Sequence, residues 1–231
     1  MNFQPLAHKT FELLSDYHDY KVVGVETVPK EGPLLFVANH SLATYDSGLL
    51  YYYLKKNNIR DLRLLADRAL FKIPVVRDIV RSYGSLEGNP ETARKLLEDG
   101  EALLVNPGGM RESLLPSKQR YQLDMNDRKG FARLAIRTQT PVILTACPAA
   151  DELYHVYDNP ITREVYKRLK LPVPVATGRF GTPMPEQVKL THYLSAPIDP
   201  PSFDGELNDQ VVDTFHTRLV TQLQQMMPRA E

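Results

Sequence analysis

The sequence predicts an α/β domain: a mainly parallel central sheet flanked by helices. Three observations lead there. Short continuous apolar runs, LLFVA at 34–38, ALLV at 102–105 and VILTA at 142–146, have the length and composition of strands buried on both faces. They alternate with longer stretches of helical periodicity, as parallel strands joined by crossover helices do. The 231 residues are 42% apolar, enough for a packed core, and no internal repeat or clear linker divides them, so one domain over 1–231 is expected.

The elements follow in order. Residues 5–16 read as an amphipathic helix with Leu6, Phe11, Leu13 and Leu14 on its apolar side. Lys21–Val28 alternates and is valine-rich, which predicts a strand; Gly32-Pro33 then turns the chain into the buried strand Leu34–Ala38. A helix is expected over 46–56, a strand at Leu62–Ala66 and a broken helical stretch over 68–82, interrupted at Pro74. Residues 90–99 have Asn89 as cap, Pro90 at the first helical position and a stop at Gly100. The strand Ala102–Val105, a helix over 127–138, the strands Val142–Ala146 and Val188–Leu194, and a C-terminal amphipathic helix over 207–226 complete the prediction.

Composition narrows the function. Basic and acidic residues balance at 28 each, which disfavours a nucleic-acid binder dependent on basic excess. A single cysteine, Cys147, excludes an intramolecular disulfide and a cysteine-based zinc site, and fits a reducing compartment. The N-terminus lacks the basic start and apolar block of a signal peptide, and no apolar run approaches the roughly 18–20 residues of a spanning helix. The expected location is cytoplasmic, with a peripheral position on the cytoplasmic face of a membrane as an option. There is no G-x-S-x-G elbow, no G-x-G-x-x-G or Walker sequence and no H-E-x-x-H.

Two polar clusters follow buried strands, and ligands of such sheets bind beyond the carboxyl ends of the strands. In NHSLATYD (39–46), His40 is a candidate general base and Asp46 its orienting carboxylate. Their spacing of six positions places them about 120° apart on a regular helix, so His40 belongs to the loop and Asp46 to the first helical turn. In NPGGMRE (106–112), Gly108 and Gly109 allow close backbone approach and offer N–H groups to a developing oxyanion. Arg111 can clamp an anionic or polar head group, and Glu112 is grouped with these as substrate-binding. The bland readings, a surface histidine beside a helix-starting carboxylate and an ordinary tight turn, stand beside them. Cys147 reads as a packed small side chain and His155 as structural; His8, His18, His192 and His216 look incidental.

The joint occurrence of NHSLATYD, NPGGMRE and TPVILTACPA resembles the glycerolipid acyltransferase superfamily, over about residues 20–200. ADRALFKIP, PGGMRE and DRKGFARLAI are similar to one branch, the diacylglycerol-acyltransferase-like enzymes, including the acyltransferase part of plant phytyl ester synthases. The commonest superfamily pattern has four residues between histidine and aspartate; here there are five, as in that branch. Where phosphate-acceptor enzymes carry phenylalanine-proline-glutamate-glycine-threonine-arginine, this chain has Asn106, Gly108 and Met110 in place of phenylalanine, glutamate and threonine. That departure leans toward a neutral alcohol acceptor.

The resemblance implies an O-acyltransferase moving a fatty acyl group from acyl-CoA or acyl-ACP, as co-substrate, to a hydroxyl of a glycerolipid or other lipidic alcohol. No bound cofactor, metal or nucleic acid is implied. Alternatives on the same fold are a non-catalytic lipid carrier and a thioesterase-like hydrolase. A lipidic acceptor implies peripheral membrane contact, for which the N-terminal helix and Val165–Phe180 are the candidate surfaces.

Overall fold

The alternation within Leu34–Ala38 (β2) organises the molecule. Successive side chains of a strand point to opposite faces. In the computed structural model, Leu34, Phe36 and Ala38 join one buried cluster, while Leu35 and Val37 join another. The structure describes the chain apart from residues 1–3, 67–70, 72–76, 79, 82–84, 160–174, 203–206 and 228–231. Most of the predicted helical stretch over 68–82, most of ADRALFKIP, and most of Val165–Phe180 therefore lie outside the described residues.

Seven strands form the main sheet: β1 (Lys21–Val23), β2, β3 (Leu62–Ala66), β4 (Ser85–Glu87), β5 (Ala102–Val105), β6 (Val142–Ala146) and β9 (Thr191–Leu194), in the order β1-β9-β6-β2-β5-β3-β4. Pairing is parallel from β6 through β4; β9 runs antiparallel to β6 and parallel to β1. A separate two-stranded ribbon joins β7 (His155–Val156) to β8 (Ala176–Thr177). The fold is thus the α/β, mainly parallel arrangement that the apolar runs predict.

One face of the sheet is covered by α1 (Gln4–Tyr17) and α2 (Tyr45–Lys56), the other by α3 (Pro90–Glu98), α5 (Gly130–Thr138) and α6 (Asp209–Gln225); α4 (Gly109–Ser113) is a short helix past β5. The capping signals of α3 are realised: Asn89 accepts from the Thr92 N–H at 2.7 Å and Gly100 ends the turn at φ 82°. Gly48 is where α1 crosses α2, because a Cβ there would lie 2.5 Å from the Phe11 ring.

Three predicted boundaries shift by three residues or more. The strand expected over Lys21–Val28 stops at Val23, because Gly24 adopts φ 85° and turns the chain into a 3₁₀ turn at Val25–Thr27. The strand expected from Val188 begins at Thr191, and the helix expected from 127 begins at Gly130. On α1, Phe11 is buried but Leu6 and Leu13 face solvent; the packed side runs through Ala7, Phe11 and Leu14.

Candidate active site

Two asparagines that sequence reasoning passed over tie the strand ends together. Asn39 follows β2, and its Oδ1 accepts from the Cys147 N–H at 2.9 Å, just past β6. Asn106 follows β5, and its Nδ2 donates to the Asn39 carbonyl at 2.7 Å and to Ser47 Oγ at 3.2 Å in the first turn of α2. Buried backbone groups beyond the sheet ladder need partners, and these amides supply them. The legible signal was an amide side chain directly after each of two buried runs.

His40 stands on this platform. Its backbone N–H donates to Glu112 Oε1 at 2.6 Å. Burial lowers the imidazole pKa to about 4, against a smaller opposing contact with the Ser41 backbone, so the ring is neutral at neutral pH. Asp46 is 1% exposed in the first turn of α2. Burial pushes its pKa up, while the Ser41 hydroxyl and the Asp46 and Ser47 N–H groups favour its charged form.

The expected pairing of Asp46 with the His40 ring is replaced here by a different one. Ser41 turns inward one residue after His40 and donates to Asp46 Oδ1 at 2.7 Å; among the described residues no hydrogen bond joins Asp46 to the His40 ring. The Thr44 N–H donates to the same Ser41 hydroxyl at 3.3 Å, and the Tyr45 N–H donates to the Ala43 carbonyl at 2.7 Å. Thr44 sits at φ 57°, a conformation that β-branched residues adopt only when their surroundings impose it.

The second cluster supports the first. Glu112, expected to contact substrate, is a buried strut at the wall of the cavity beside His40: Oε1 holds the His40 N–H and Oε2 accepts from the Asp124 N–H at 2.8 Å. Burial raises its pKa to about 7 against those two hydrogen bonds. Gly108 is glycine because a Cβ there would collide with the Glu112 carboxylate. Gly109 adopts φ 57° and its N–H donates to the Asn106 carbonyl at 3.0 Å, so that amide is already used and is not free for the expected oxyanion role. Arg111, expected as an anion clamp, is held by this chain's own carboxylates. Its Nε lies 2.6 Å from Asp124 Oδ2, and its Nη2 lies 2.5 Å from Asp127 Oδ1.

His40, Ser41, Glu112, Arg120, Asp151 and Tyr154 line a cavity of about 30 Å³, room for about one water. Asp151 accepts from the Tyr121 N–H at 2.7 Å, and burial raises its pKa to about 6. A larger hollow of about 880 Å³ begins at Pro107 and is lined by Leu65, Ala93, Val105, Phe131 and Leu134, with Arg94, Arg128 and Arg133 at its margin. Among the described residues, no group of three or more histidine, cysteine or acidic side chains is arranged to hold a metal ion.

Three histidines that looked incidental are structural. His18 Nδ1 donates to the Val188 carbonyl at 2.9 Å, which leaves Nε2 to accept from the Tyr45 hydroxyl at 2.8 Å, next to Asp46. His192 is fully buried, with Nδ1 2.8 Å from the Tyr20 hydroxyl and Nε2 without a partner. His216 Nε2 lies 3.0 Å from the Met125 carbonyl. Cys147 is completely buried, and burial together with the nearby Asp46 pushes its thiol pKa up, as suits a packed side chain.

Comparison with known proteins bears on this arrangement. The acyltransferase family model matches residues 19–147, which hold both clusters and the strands that carry them. The "DGAT1/2-independent enzyme synthesizing storage lipids" of Bos taurus is 32% identical over 90% of this chain and 62% of its own length. Its Homo sapiens counterpart is 31% identical over 83% and 59%. This chain therefore spans about three fifths of the length of these curated relatives. The crystal structure of the 1-acyl-sn-glycerophosphate acyltransferase PlsC from Thermotoga maritima superposes with TM-score 0.59 at 19% identity, over 98% of this chain and 81% of that one, and shows the shared fold. With the family match spanning the strand ends that carry both clusters, this chain belongs to the acyltransferase family.

Proposed function

We propose that the chain is an O-acyltransferase that moves a fatty acyl group from an acyl thioester, acyl-CoA or acyl-ACP, to a hydroxyl of a glycerolipid or other lipidic alcohol. What carries the reading is a neutral imidazole at the carboxyl end of β2, its main chain pinned by Glu112. A neutral ring can accept a proton, and general-base catalysis of this kind contributes about 10²–10⁴ in rate. The names of the relatives, which speak of storage-lipid synthesis, support the same substrate class.

In the proposed step the acceptor oxygen bonds to the thioester carbonyl carbon as His40 takes the hydroxyl proton. The tetrahedral intermediate collapses, the carbon–sulfur bond breaks, and the imidazolium returns the proton to the leaving thiolate. Asp46 stabilises the imidazolium. Catalytic hydrogen bonds commonly tighten only once substrate is bound, and this role requires Asp46 to exchange its Ser41 partner for the ring. The acyl chain lies in the apolar hollow that begins at Pro107, whose size suits such a ligand. The chemistry draws on no bound cofactor. The lipidic acceptor implies contact with a membrane surface, and the cytoplasmic face is the one proposed; among the described residues no helix is long and apolar enough to cross a membrane.

The test is transfer from labelled acyl-CoA and acyl-ACP to a panel of lipidic alcohols. Ester formed by the wild type and lost in a folded His40→Ala variant is the expected result. Free fatty acid alone would mean a hydrolase, and ordinary turnover by His40→Ala would remove His40 from the reaction.

A further inference from the structure

We propose that the turn at 178–184 is a membrane-inserting tip, with Phe180 and Met184 seated among lipid acyl chains and Arg179 at the headgroups. Phe180 is 86% exposed and Met184 47% exposed. An isolated exposed apolar side chain needs no explanation, but this one is built into place. The Gly178 N–H donates to the Thr182 carbonyl and the Arg179 N–H to the Met184 carbonyl, both at 2.7 Å; Thr182 Oγ1 donates to the Arg179 carbonyl at 2.8 Å. Within that cage Phe180 is held at φ 57°, ψ 26°, a conformation that asparagine or glycine adopts more readily than an aromatic residue. A strained and exposed phenylalanine that contributes nothing to the core points to a partner outside the molecule.

The chemistry of the tip names that partner. The Arg179 guanidinium lies 4.9 Å from the Phe180 ring centroid, and among the described residues its side chain donates to the neutral Gln187 at 3.2 Å. A cation beside a protruding aromatic ring matches the boundary between anionic headgroups and acyl chains. Position agrees. Tyr154, which lines the His40 cavity, donates its hydroxyl to the Pro183 carbonyl at 3.1 Å, and Tyr17 at the end of α1 donates to Pro185 at 2.9 Å. An inserted tip therefore sets the cavity mouth against the bilayer. This deepens the lipid-acceptor reading and rests on it for its purpose, but membrane insertion is measured independently of turnover.

The chain has no tryptophan, so Phe180→Trp introduces a single reporter. With vesicles of phosphatidylcholine and phosphatidylglycerol, its emission should shift to the blue and be quenched by brominated acyl chains. A Glu31→Trp variant, altered on the opposite rim of the sheet, should do neither. Phe180→Asn with Met184→Gln removes the apolar groups and keeps a residue suited to the left-handed turn. It should weaken vesicle binding by about tenfold to a hundredfold, the burial of a large apolar side chain being the quantity lost. Turnover of a short-chain monoacylglycerol dispersed below its micellar concentration should stay at the wild-type level. The proposal falls if the wild type binds no vesicles, if the tryptophan at 180 is as wet as that at 31, or if the double variant binds as well as the wild type. Insertion without ester formation on any acceptor would leave this tip standing and sink the acyl-transfer reading instead.

Discussion

The His40 main-chain N–H donates to the Glu112 carboxylate at 2.6 Å, across 72 residues of sequence. The two polar clusters are thus one construction, in which the second fixes the backbone of the first. Glu112 is ionised only above its raised pKa of about 7, and the charged carboxylate is the better acceptor for both N–H groups it holds.

From this follows a pH dependence that does not belong to the histidine. His40, with its pKa lowered to about 4, is already neutral across pH 5–9. Activity in that range should nevertheless rise through about pH 7 as Glu112 ionises and secures the His40 backbone. Profiles of kcat/KM for wild type and Glu112→Gln test this: the inflection near 7 should vanish in the variant, with its plateau lowered by about tenfold for one weakened charged hydrogen bond. An unchanged inflection would assign it to another group.

Ser41 holds a buried carboxylate. Ser41→Ala removes the hydroxyl donor from Asp46 and the acceptor for the Thr44 N–H. The loss should cost about 1.5–3 kcal/mol of stability, the usual worth of a hydrogen bond to a charged group. Denaturant titration gives the number, and a change below about 0.5 kcal/mol would mean that water replaces the hydroxyl there.

Gly108 and Gly109 should behave differently although they are adjacent. Gly108→Ala forces its Cβ into the Glu112 carboxylate, whereas Gly109→Ala meets open space and suffers only the left-handed backbone conformation at φ 57°. The second should cost about 1–2 kcal/mol of stability and leave the pH profile intact. The first should displace Glu112 and reproduce the Glu112→Gln profile. Equal effects of the two would contradict the packing argument.

Buried neutral histidines make the fold labile to acid. His192, lowered to about 3 by burial, and His40, lowered to about 4, bind protons in the unfolded chain below its ordinary pKa of about 6.5 but not in the folded one. Their contribution is therefore complete above about pH 6.5 and is lost as pH falls toward 4 and 3. Glu112 and Asp151, raised to about 7 and about 6, act in the opposite sense: they favour folding at low pH and lose that contribution as pH rises through those values. His192→Asn should flatten the acid side of a stability–pH curve measured by urea unfolding. Parallel curves for the variant and the wild type would exclude His192 as a source of the acid loss.

Much of this architecture was legible in the chain. LLFVA, ALLV and VILTA are strands because continuous apolar runs bounded by turn residues have few other stable fates, and Asn89-Pro90 with Gly100 marked a helix at both ends. His40 and Asp46 also stood out, being chemistry-bearing residues just past a buried strand. The partners of these residues were decided by tertiary structure alone. That Glu112 reaches back to His40, and that Asn39 and Asn106 join three strand ends, depend on parallel register, which sets Val37 beside Val105 and Ala38 beside Thr145; that Ser41 reaches Asp46 is set by the turn between β2 and α2. Local periodicity reports which way a side chain faces. Only the packed sheet determines what it meets there, because contacts such as His40 with Glu112 and Asn39 with Cys147 join residues 72 and 108 positions apart and arise when the strands align.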